Sequence, residues 1–199
     1  MFALVIIDNL TKEIHLVRDH LGVKPLYYGV FNQIILFGSQ IKSFIPHPAF
    51  KKELNEQAIA LYFKYNYIPA PYAIYNNCSK LEHGQCITFK NGVIIKKYNY
   101  FSMQNIVATG RANILKNSKE EIINTVEELL INSVNSQMLA DVPVGVFLSG
   151  GIDSSLVAAL AQKHSSKSIK TFTIGFNEPA YNEANFALNI AKHLGTDHI

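Results

Sequence analysis

The sequence predicts an α+β half followed by the start of an α/β domain, and three observations support this division. Short apolar runs separated by tight turns fill most of the first half, as antiparallel strands do. A strand, a glycine turn and a helix start follow one another between residues 142 and 160. Beyond that point helical and strand patterns alternate, which is typical of a parallel sheet with crossover helices. A chain of 199 residues is long enough for two small domains.

The first half begins with four apolar runs that predict strands, at residues 2–7, 13–18, 26–30 and 34–37. Asp8-Asn9 and Asn32-Gln33 provide the turns of two hairpins. We therefore expect the first 40 residues to form one antiparallel meander. Both faces of this meander are largely apolar, so it requires cover on both sides.

Helices and a further hairpin follow the meander. A short helix is predicted at residues 39–44, and Asn55 caps a second helix at 56–64. Asn91-Gly92 lies between apolar runs at 85–90 and 92–97, which is the strongest short-range hairpin signal.

A stretch without periodicity, from residue 98 to residue 110, marks the predicted domain boundary. We assign residues 1–105 to the first domain, residues 106–117 to a linker and residues 118–199 to the second domain.

The second half opens with an amphipathic helix that Ser118 caps and that runs to about residue 139. Its predicted inward face comprises Ile122, Val126, Leu129, Leu130, Val134 and Met138. Next come a buried strand at 144–148, a helix from Asp153, a strand at 171–175 and a helix from residue 182 or 183 to His193. The helix from Asp153 is predicted to carry Leu156, Val157 and Leu160 on one face. This order predicts the start of a parallel sheet, with a third strand due at the end of the printed sequence.

The turn between the strand at 144–148 and its helix has the features of an anion-binding site. Gly150 and Gly151 allow the backbone to approach a phosphate, and the first amides of the helix are unpaired and point toward it. The loop lacks the Lys and the following Ser or Thr of a Walker A loop. A simpler interpretation is a helix-start turn in which Asp153 complements the helix dipole.

Composition argues against several classes of function. The net charge is +3 and the lysines are scattered, so we expect no nucleic acid and no membrane as partners. The sequence contains no apolar run of about 18 residues, the length that a transmembrane helix needs. The first residues lack the basic region and the cleavage site of a signal peptide. Two cysteines, Cys78 and Cys86, are too few to form a disulfide framework. We expect them to be buried thiols of a cytoplasmic protein.

Seven blocks along the chain carry a family resemblance: RDHLGVKPLYY, FGSQIKSF, YNYIPAP, KLEHGQCITF, DVPVGVFLSGGIDSS, TFTIGF and AKHLGTDH. The SGGxDS pattern within them resembles the pyrophosphate loop of the ATP pyrophosphatases. Together the blocks resemble the glutamine-hydrolysing asparagine synthetases, of the asparagine synthetase B type. The resemblance implies a glutamine amidotransferase domain with the N-terminal-nucleophile hydrolase fold, then the start of an α/β ATP pyrophosphatase (adenine nucleotide alpha hydrolase-like) domain.

That family is an ATP-dependent amide ligase, so the resemblance also implies a reaction. Glutamine-derived ammonia reaches the second site and converts aspartate to asparagine via β-aspartyl-AMP. The implied cofactors are ATP and Mg²⁺, and the implied partners of the intact enzyme are ATP, aspartate and glutamine. The family also admits a homodimer of the intact enzyme.

Carried over residue by residue, the resemblance assigns a nucleotide site. The implied pyrophosphate-loop residues are Leu148, Ser149, Gly150, Gly151, Asp153, Ser154 and Ser155. Asp153 would help to place Mg²⁺, while Ile174 and Gly175 would cradle adenine. A place in the apolar core is an alternative for Ile174. We expect Arg18 and Asp19 to form a structural salt link in a hairpin.

Several positions depart from the family pattern. The nucleophile of the family is an N-terminal cysteine, but residue 2 here is Phe and neither cysteine is terminal, so we assign no catalytic residue. We expect the nucleophile and the glutamine-binding residues to lie upstream, and the aspartate-binding half downstream. Gln40 and Gln137 replace a Glu and a basic residue that are common in the family.

Three hypotheses follow for the chain. The first is a fragment of an asparagine synthetase, with no glutaminase activity and little synthetase activity by itself. The second is a related amidotransferase that acts on another carboxylate acceptor. The third is an inactive truncated member that binds a full-length copy. In each case we expect exposed sheet edges and a tendency to aggregate.

Overall fold

The computed structural model describes residues 1–178 and 182–199. It divides into unit 1, Met1–Ile114, and unit 2, Leu115–Ile199. Unit 1 is built mainly from antiparallel strands and unit 2 from helices with a parallel sheet. The predicted mixture of α and β structure is confirmed.

Unit 1 contains, in chain order, β1 (Ala3–Asp8), β2 (Glu13–Arg18), β3 (Tyr27–Phe31), β4 (Ile34–Gly38), a 3₁₀ helix (Ile41–Phe44), α1 (Glu56–Tyr65), β5 (Cys78–Lys80), β6 (Gln85–Lys90), β7 (Val93–Asn99) and α2 (Met103–Ala112). All four strands predicted before residue 40 are present within one residue of their predicted bounds. Asn55 caps α1 as predicted, because its side chain accepts a hydrogen bond from the amide of Ala58.

The strands of unit 1 form two antiparallel sheets, so the predicted single meander is wrong. The first sheet has the order β1-β2-β6-β7 and the second has the order β4-β3-β5. The two early hairpins therefore belong to different sheets. The edge of β2 pairs with β6, with Leu16 opposite Ile87, and this long-range pairing takes the place of a β2–β3 pair.

Side chains from both sheets fill the core of unit 1. Leu16, Ile87 and Phe89 of the first sheet form a buried cluster that Tyr28 and Val30 of the second sheet contact. The opposite face of the second sheet carries a second cluster, comprising Phe31, Phe44, Phe50, Ala73 and Cys78. The second sheet is thus apolar on both faces, as the sequence predicts.

The two hairpin turns of unit 1 meet at their tips. Asn91 and Gly92 have φ values of 52° and 75°, as a two-residue hairpin turn requires. A Cβ placed on Gly92 would stand 2.6 Å from Cα of Gln33, in the β3–β4 turn. Glycine is therefore required here by the backbone angle and by the neighbouring turn.

Unit 2 contains α3 (Lys119–Gln137), β8 (Gly145–Phe147), α4 (Ile152–Lys163), β9 (Lys170–Phe172), α5 (Ala184–Leu194) and β10 (Asp197–His198). The three strands are parallel and β9 lies in the middle. Leu148 and Ala158 of the β8–α4 segment form the core with Ala187 and Ala191 of α5. Gly195 closes α5 with a φ of 72°, as predicted.

Two predicted helix faces of unit 2 are corrected by the structure. In α4 Leu160 is buried, but Leu156 and Val157 are exposed, because the core contacts fall on Ala158 and Ala161. No residue of α3 is buried, and Val126 and Leu129 of its predicted inward face are exposed. Among the described residues, α3 lies against α4 along part of its length, where Lys163 Nζ is 3.2 Å from Glu127 Oε1.

The predicted linker contains regular structure, because α2 continues to Ala112. Ser102 caps this helix through a hydrogen bond from the amide of Asn105. The absence of periodicity in the sequence did not reveal a short exposed helix. Within the described residues no helix is both long enough and apolar enough to span a bilayer.

Candidate functional site

The candidate site lies where β8 and β9 end in unit 2. Leu148 directly follows β8 and is only 1% exposed. Its amide donates to the carbonyl oxygen of Phe172 at 2.9 Å, and its own carbonyl accepts from the hydroxyl of Thr173. These hydrogen bonds fix the point at which the backbone leaves the sheet and turns toward α4.

The turn after Leu148 requires glycine because of its backbone angle and because α5 packs closely against it. Gly150 has a φ of 80°, which other residues rarely adopt. A Cβ at this position would stand 2.9 Å from Cβ of Phe186 and 3.3 Å from the amide nitrogen of Ala187. The first turns of α5 therefore pack directly against the loop.

Serine hydroxyls close the loop on itself. Ser154 Oγ accepts from the amide of Ser149 at 3.2 Å and lies 2.9 Å from Ser149 Oγ. Ser154 and Ser155 donate to the carbonyl oxygen of Gly151 at 3.2 and 2.6 Å. Because these hydroxyl protons have partners within the loop, the backbone amides are the donors that remain for an anion.

The start of α4 provides those amides. Gly151 is the N-cap residue and has no side chain, so the first turn lacks a side-chain cap. The unpaired N–H groups and the helix dipole favour a bound anion at this end. Asp153 is exposed in the same turn. Across residues 1–178 and 182–199, no group of three or more His, Cys, Asp and Glu side chains is placed to hold a metal ion.

An open cavity of about 300 Å³ lies beside the loop. It is lined by Phe147, Leu148, Ser149, Ser154, Phe172, Thr173, Ile174, Phe176 and Glu183. Most of these side chains are apolar, whereas Ser149 begins the loop and Ser154 lies in the first turn of α4. Such a lining suits a ligand with a flat apolar part and an anionic part.

The structure brings together only part of the predicted set of residues. Leu148, Ser149, Ser154 and Ile174 line the cavity. The other predicted residues of the loop, Gly150, Gly151, Asp153 and Ser155, belong to the turn and the first turn of α4. Gly175 directly follows Ile174, and a Cβ on it would lie 3.8 Å from Cβ of Ala184. The alternative that placed Ile174 in the core is wrong, because this residue is 68% exposed.

Sequence reasoning missed five residues of the cavity, namely Phe147, Phe172, Thr173, Phe176 and Glu183. A signal for one of them was present. Phe172 and Ile174 are two residues apart, and side chains two apart along an extended strand share a face. Phe147 and Glu183 could not be found this way, because their place depends on how β8 and α5 pack.

Comparison with known proteins decides the family. The sequence model of the glutamine amidotransferase domain matches residues 1–101, and that of asparagine synthase matches residues 125–199. Over the whole chain, a putative glutamine-hydrolysing asparagine synthetase 2 of Methanocaldococcus jannaschii is 35% identical. The glutamine-hydrolysing asparagine synthetase 1 of Bacillus subtilis is 32% identical over the same span.

This chain belongs to the glutamine-hydrolysing asparagine synthetase family. It spans 38% of the length of the M. jannaschii relative and 30% of the length of the B. subtilis relative. Unit 1 corresponds to the amidotransferase match and unit 2 contains the asparagine synthase match.

Arg18 and Asp19 of this family member have structural roles, but the predicted salt link between them is wrong. Arg18 donates to the carbonyl oxygens of Gly22, Lys24 and Leu81. Asp19 accepts four hydrogen bonds from the backbone amides of Phe2, Leu21, Val23 and Lys24. The Arg18 guanidinium therefore holds backbone carbonyl groups, and the Asp19 carboxylate holds backbone amides. Together they fix the loop that follows β2.

The environment of Asp19 shifts its pKa strongly. Burial raises the pKa, but the backbone hydrogen bonds to the carboxylate outweigh burial and lower it from 3.8 to about 2. The side chain is only 3% exposed, so this carboxylate is an internal structural acceptor.

Both cysteines are buried and free, as predicted. Burial raises the pKa of Cys78 to about 11, so its thiol is protonated at neutral pH. Cys86 is 5% exposed on β6. Burial of both side chains keeps the two thiols away from a substrate in solution.

Proposed function

We propose that this chain contributes an amidotransferase part and a nucleotide-binding part to a glutamine-dependent asparagine synthetase. In this proposal unit 1 has the N-terminal-nucleophile hydrolase fold. Unit 2 begins the ATP pyrophosphatase (adenine nucleotide alpha hydrolase-like) fold. The observation that carries the nucleotide part is the glycine turn at 149–151, which joins an uncapped helix start to an apolar cavity.

The residues present fit an adenine nucleotide. The amides of the first turn of α4 would hold the phosphates. The backbone can approach them closely at Gly151, where a Cβ would meet only Ser149 Oγ at 3.4 Å. Ile174 would contact the adenine ring from the cavity wall, with Gly175 beside it, and the buried Leu148 would hold the start of the loop in place.

Asp153 would help to hold Mg²⁺ beside the phosphates. A single protein carboxylate is sufficient for this role, because Mg²⁺ in nucleotide sites takes most of its ligands from phosphates and water. When bound, Mg²⁺-ATP supplies the adenylyl group that activates a carboxylate. The residues of this chain bind and orient the nucleotide.

The overall reaction in this proposal forms asparagine from aspartate and glutamine-derived ammonia via β-aspartyl-AMP. Aspartate as the acceptor, and glutamine as the ammonia source, rest on the names of the relatives. No glutaminase step is assigned to Cys78 or Cys86, because both thiols are buried.

Calorimetric titration of the whole chain with ATP and Mg²⁺ tests the nucleotide part of the proposal. We expect saturable binding, and we expect Asp153→Ala to weaken it at least tenfold in the presence of Mg²⁺. Asp141→Ala is the matched control, because Asp141 is an exposed acidic residue that precedes β8 and should leave the affinity unchanged. Absence of saturable binding by a chain with a native circular dichroism spectrum would overturn the proposal.

A further inference from the structure

Gly145 and Phe172 occupy neighbouring strands on the same face of the parallel sheet. Gly145 pairs with Lys170, and Phe147 pairs with Phe172, so Phe172 is two residues beyond the partner of Gly145. Val146 and Leu148 face the core cluster with α4 and α5. Because side chains alternate along a strand, Gly145 and Phe147 face the other way, together with Phe172.

The ring of Phe172 lies across the backbone of Gly145. A Cβ on Gly145 would collide with Cε2 of that ring and would stand 2.9 Å from Cδ2. The next atom in reach is the carbonyl oxygen of Lys170 at 3.4 Å, which belongs to the sheet backbone and cannot move away. Any side chain at position 145 must therefore displace the ring of Phe172.

Displacing this ring changes the cavity, because Phe172 is part of its wall. The phosphate-binding loop would keep its geometry, since its hydrogen bonds run among Ser149, Gly151, Ser154 and Ser155. A change at Gly145 should thus affect the apolar end of the cavity and spare the anionic end.

We propose that Gly145 is a positioning residue for base recognition, which acts by allowing the ring of Phe172 to lie across β8 as a wall for a purine. This inference rests on the proposed nucleotide function, and it names the two residues that would make the site prefer ligands with a base. An aromatic ring offers a purine a flat apolar surface with favourable ring–ring contact. Gly150 has a different task, because its missing side chain admits α5.

The test compares ligands that carry a base with one that does not. Whole-chain affinities are measured by calorimetry for Mg²⁺-ATP, adenosine and inorganic tripolyphosphate. We expect Gly145→Ala to weaken the binding of ATP and of adenosine about tenfold, because the aromatic contact is lost. The affinity for tripolyphosphate should change less than about twofold. The control is Gly110→Ala, because a Cβ on Gly110 meets no atom within 4 Å.

A second variant keeps the test decisive if Gly145→Ala disturbs folding. Phe172→Ala removes the ring, and the double variant Gly145→Ala with Phe172→Ala contains no collision. We expect Phe172→Ala to weaken adenosine binding about tenfold. Adding Gly145→Ala to this variant should cause no further loss of affinity. Additive losses of affinity, or an unchanged adenosine affinity in Phe172→Ala, would overturn the inference.

The same measurements distinguish this inference from the proposed function. If the wild-type chain fails to bind ATP, the proposed function itself fails. If wild type and Gly145→Ala bind ATP equally, only the role of Gly145 fails.

Discussion

At the scale of single residues, Arg18 and Asp19 show how buried charge can serve backbone structure. Both are nearly inaccessible, and the hydrogen-bond partners of both are backbone groups. A charged group with this many hydrogen bonds recovers much of the free energy that it loses on leaving water. Removal of either group would leave several buried backbone groups without partners.

Asp19→Asn should destabilise unit 1 by about 2 kcal/mol at neutral pH. The pKa of Asp19 is lowered in the folded protein, so its stabilisation is complete above its ordinary value of 3.8 and is lost as the pH falls toward about 2. The difference in unfolding free energy between wild type and variant, from urea denaturation, should therefore shrink between pH 4 and pH 2.

The control for this prediction is Asp141→Asn, because Asp141 is exposed. That variant should leave the unfolding free energy unchanged within about 0.5 kcal/mol at each pH. A difference between wild type and Asp19→Asn that is the same at pH 7 and pH 2.5 would contradict the role assigned to the carboxylate.

At the scale of elements, α3 depends largely on its own sequence. None of its residues is buried, so tertiary packing contributes little to it within the described contacts. Its first turn has a capping box, in which the amide of Glu121 donates to Ser118 Oγ and the amide of Ser118 donates to the Glu121 carboxylate. The hydrogen bonds that the Ser118 amide and hydroxyl donate to the Glu121 carboxylate favour its ionised form and lower its pKa.

Ser118→Ala should destabilise α3 by about 1 kcal/mol, because the amide of Glu121 loses its acceptor. Hydrogen exchange of the amides in residues 119–122 should become faster, and helical circular dichroism should decrease. Ser136→Ala is the control, since Ser136 lies near the other end of the same helix and its hydroxyl donates to the carbonyl oxygen of Ser133. Unchanged protection in the first turn of Ser118→Ala would show that other contacts hold this helix.

Local signals predicted the elements of this chain well, and long-range signals were missing. The hairpin of β6 and β7 follows from Asn91-Gly92 and two adjacent apolar runs, all close in sequence. The pairing of β2 with β6 could not be predicted, because nothing near β2 distinguishes β6 from β3 as its neighbour. For the same reason the loop of the candidate site was predicted from its strand, turn and helix, whereas the contribution of Glu183 was not.

At the scale of the whole molecule, each unit has a core of its own. Leu16, Leu26, Leu81, Ile87 and Phe89 form one buried cluster within unit 1. Leu148, Ala158, Ala187 and Ala191 form the cluster within unit 2. The second cluster is built largely from alanines, so it buries less apolar surface per residue than the first.

Leu81→Ala should lower the stability of unit 1 by about 2–5 kcal/mol, because Leu81 is fully buried and its loss leaves a cavity. Hydrogen exchange should accelerate throughout the first sheet, while the amides of Ala158 and Ala187 keep their protection. Leu10→Ala is the matched control in the same unit, since Leu10 is 95% exposed and should change stability by less than about 0.5 kcal/mol. Equal loss of protection in both units would contradict separate cores.

The pairing of β2 with β6 also has a consequence for synthesis of the chain on the ribosome. The β1–β2 hairpin is made before β6, and the edge of β2 that pairs with β6 stays open until β6 has emerged. In unit 2 each new parallel strand lies beside the one made before it, and the sheet can grow in step with translation. The two halves of one polypeptide therefore expose their unpaired edges to the cell for very different times.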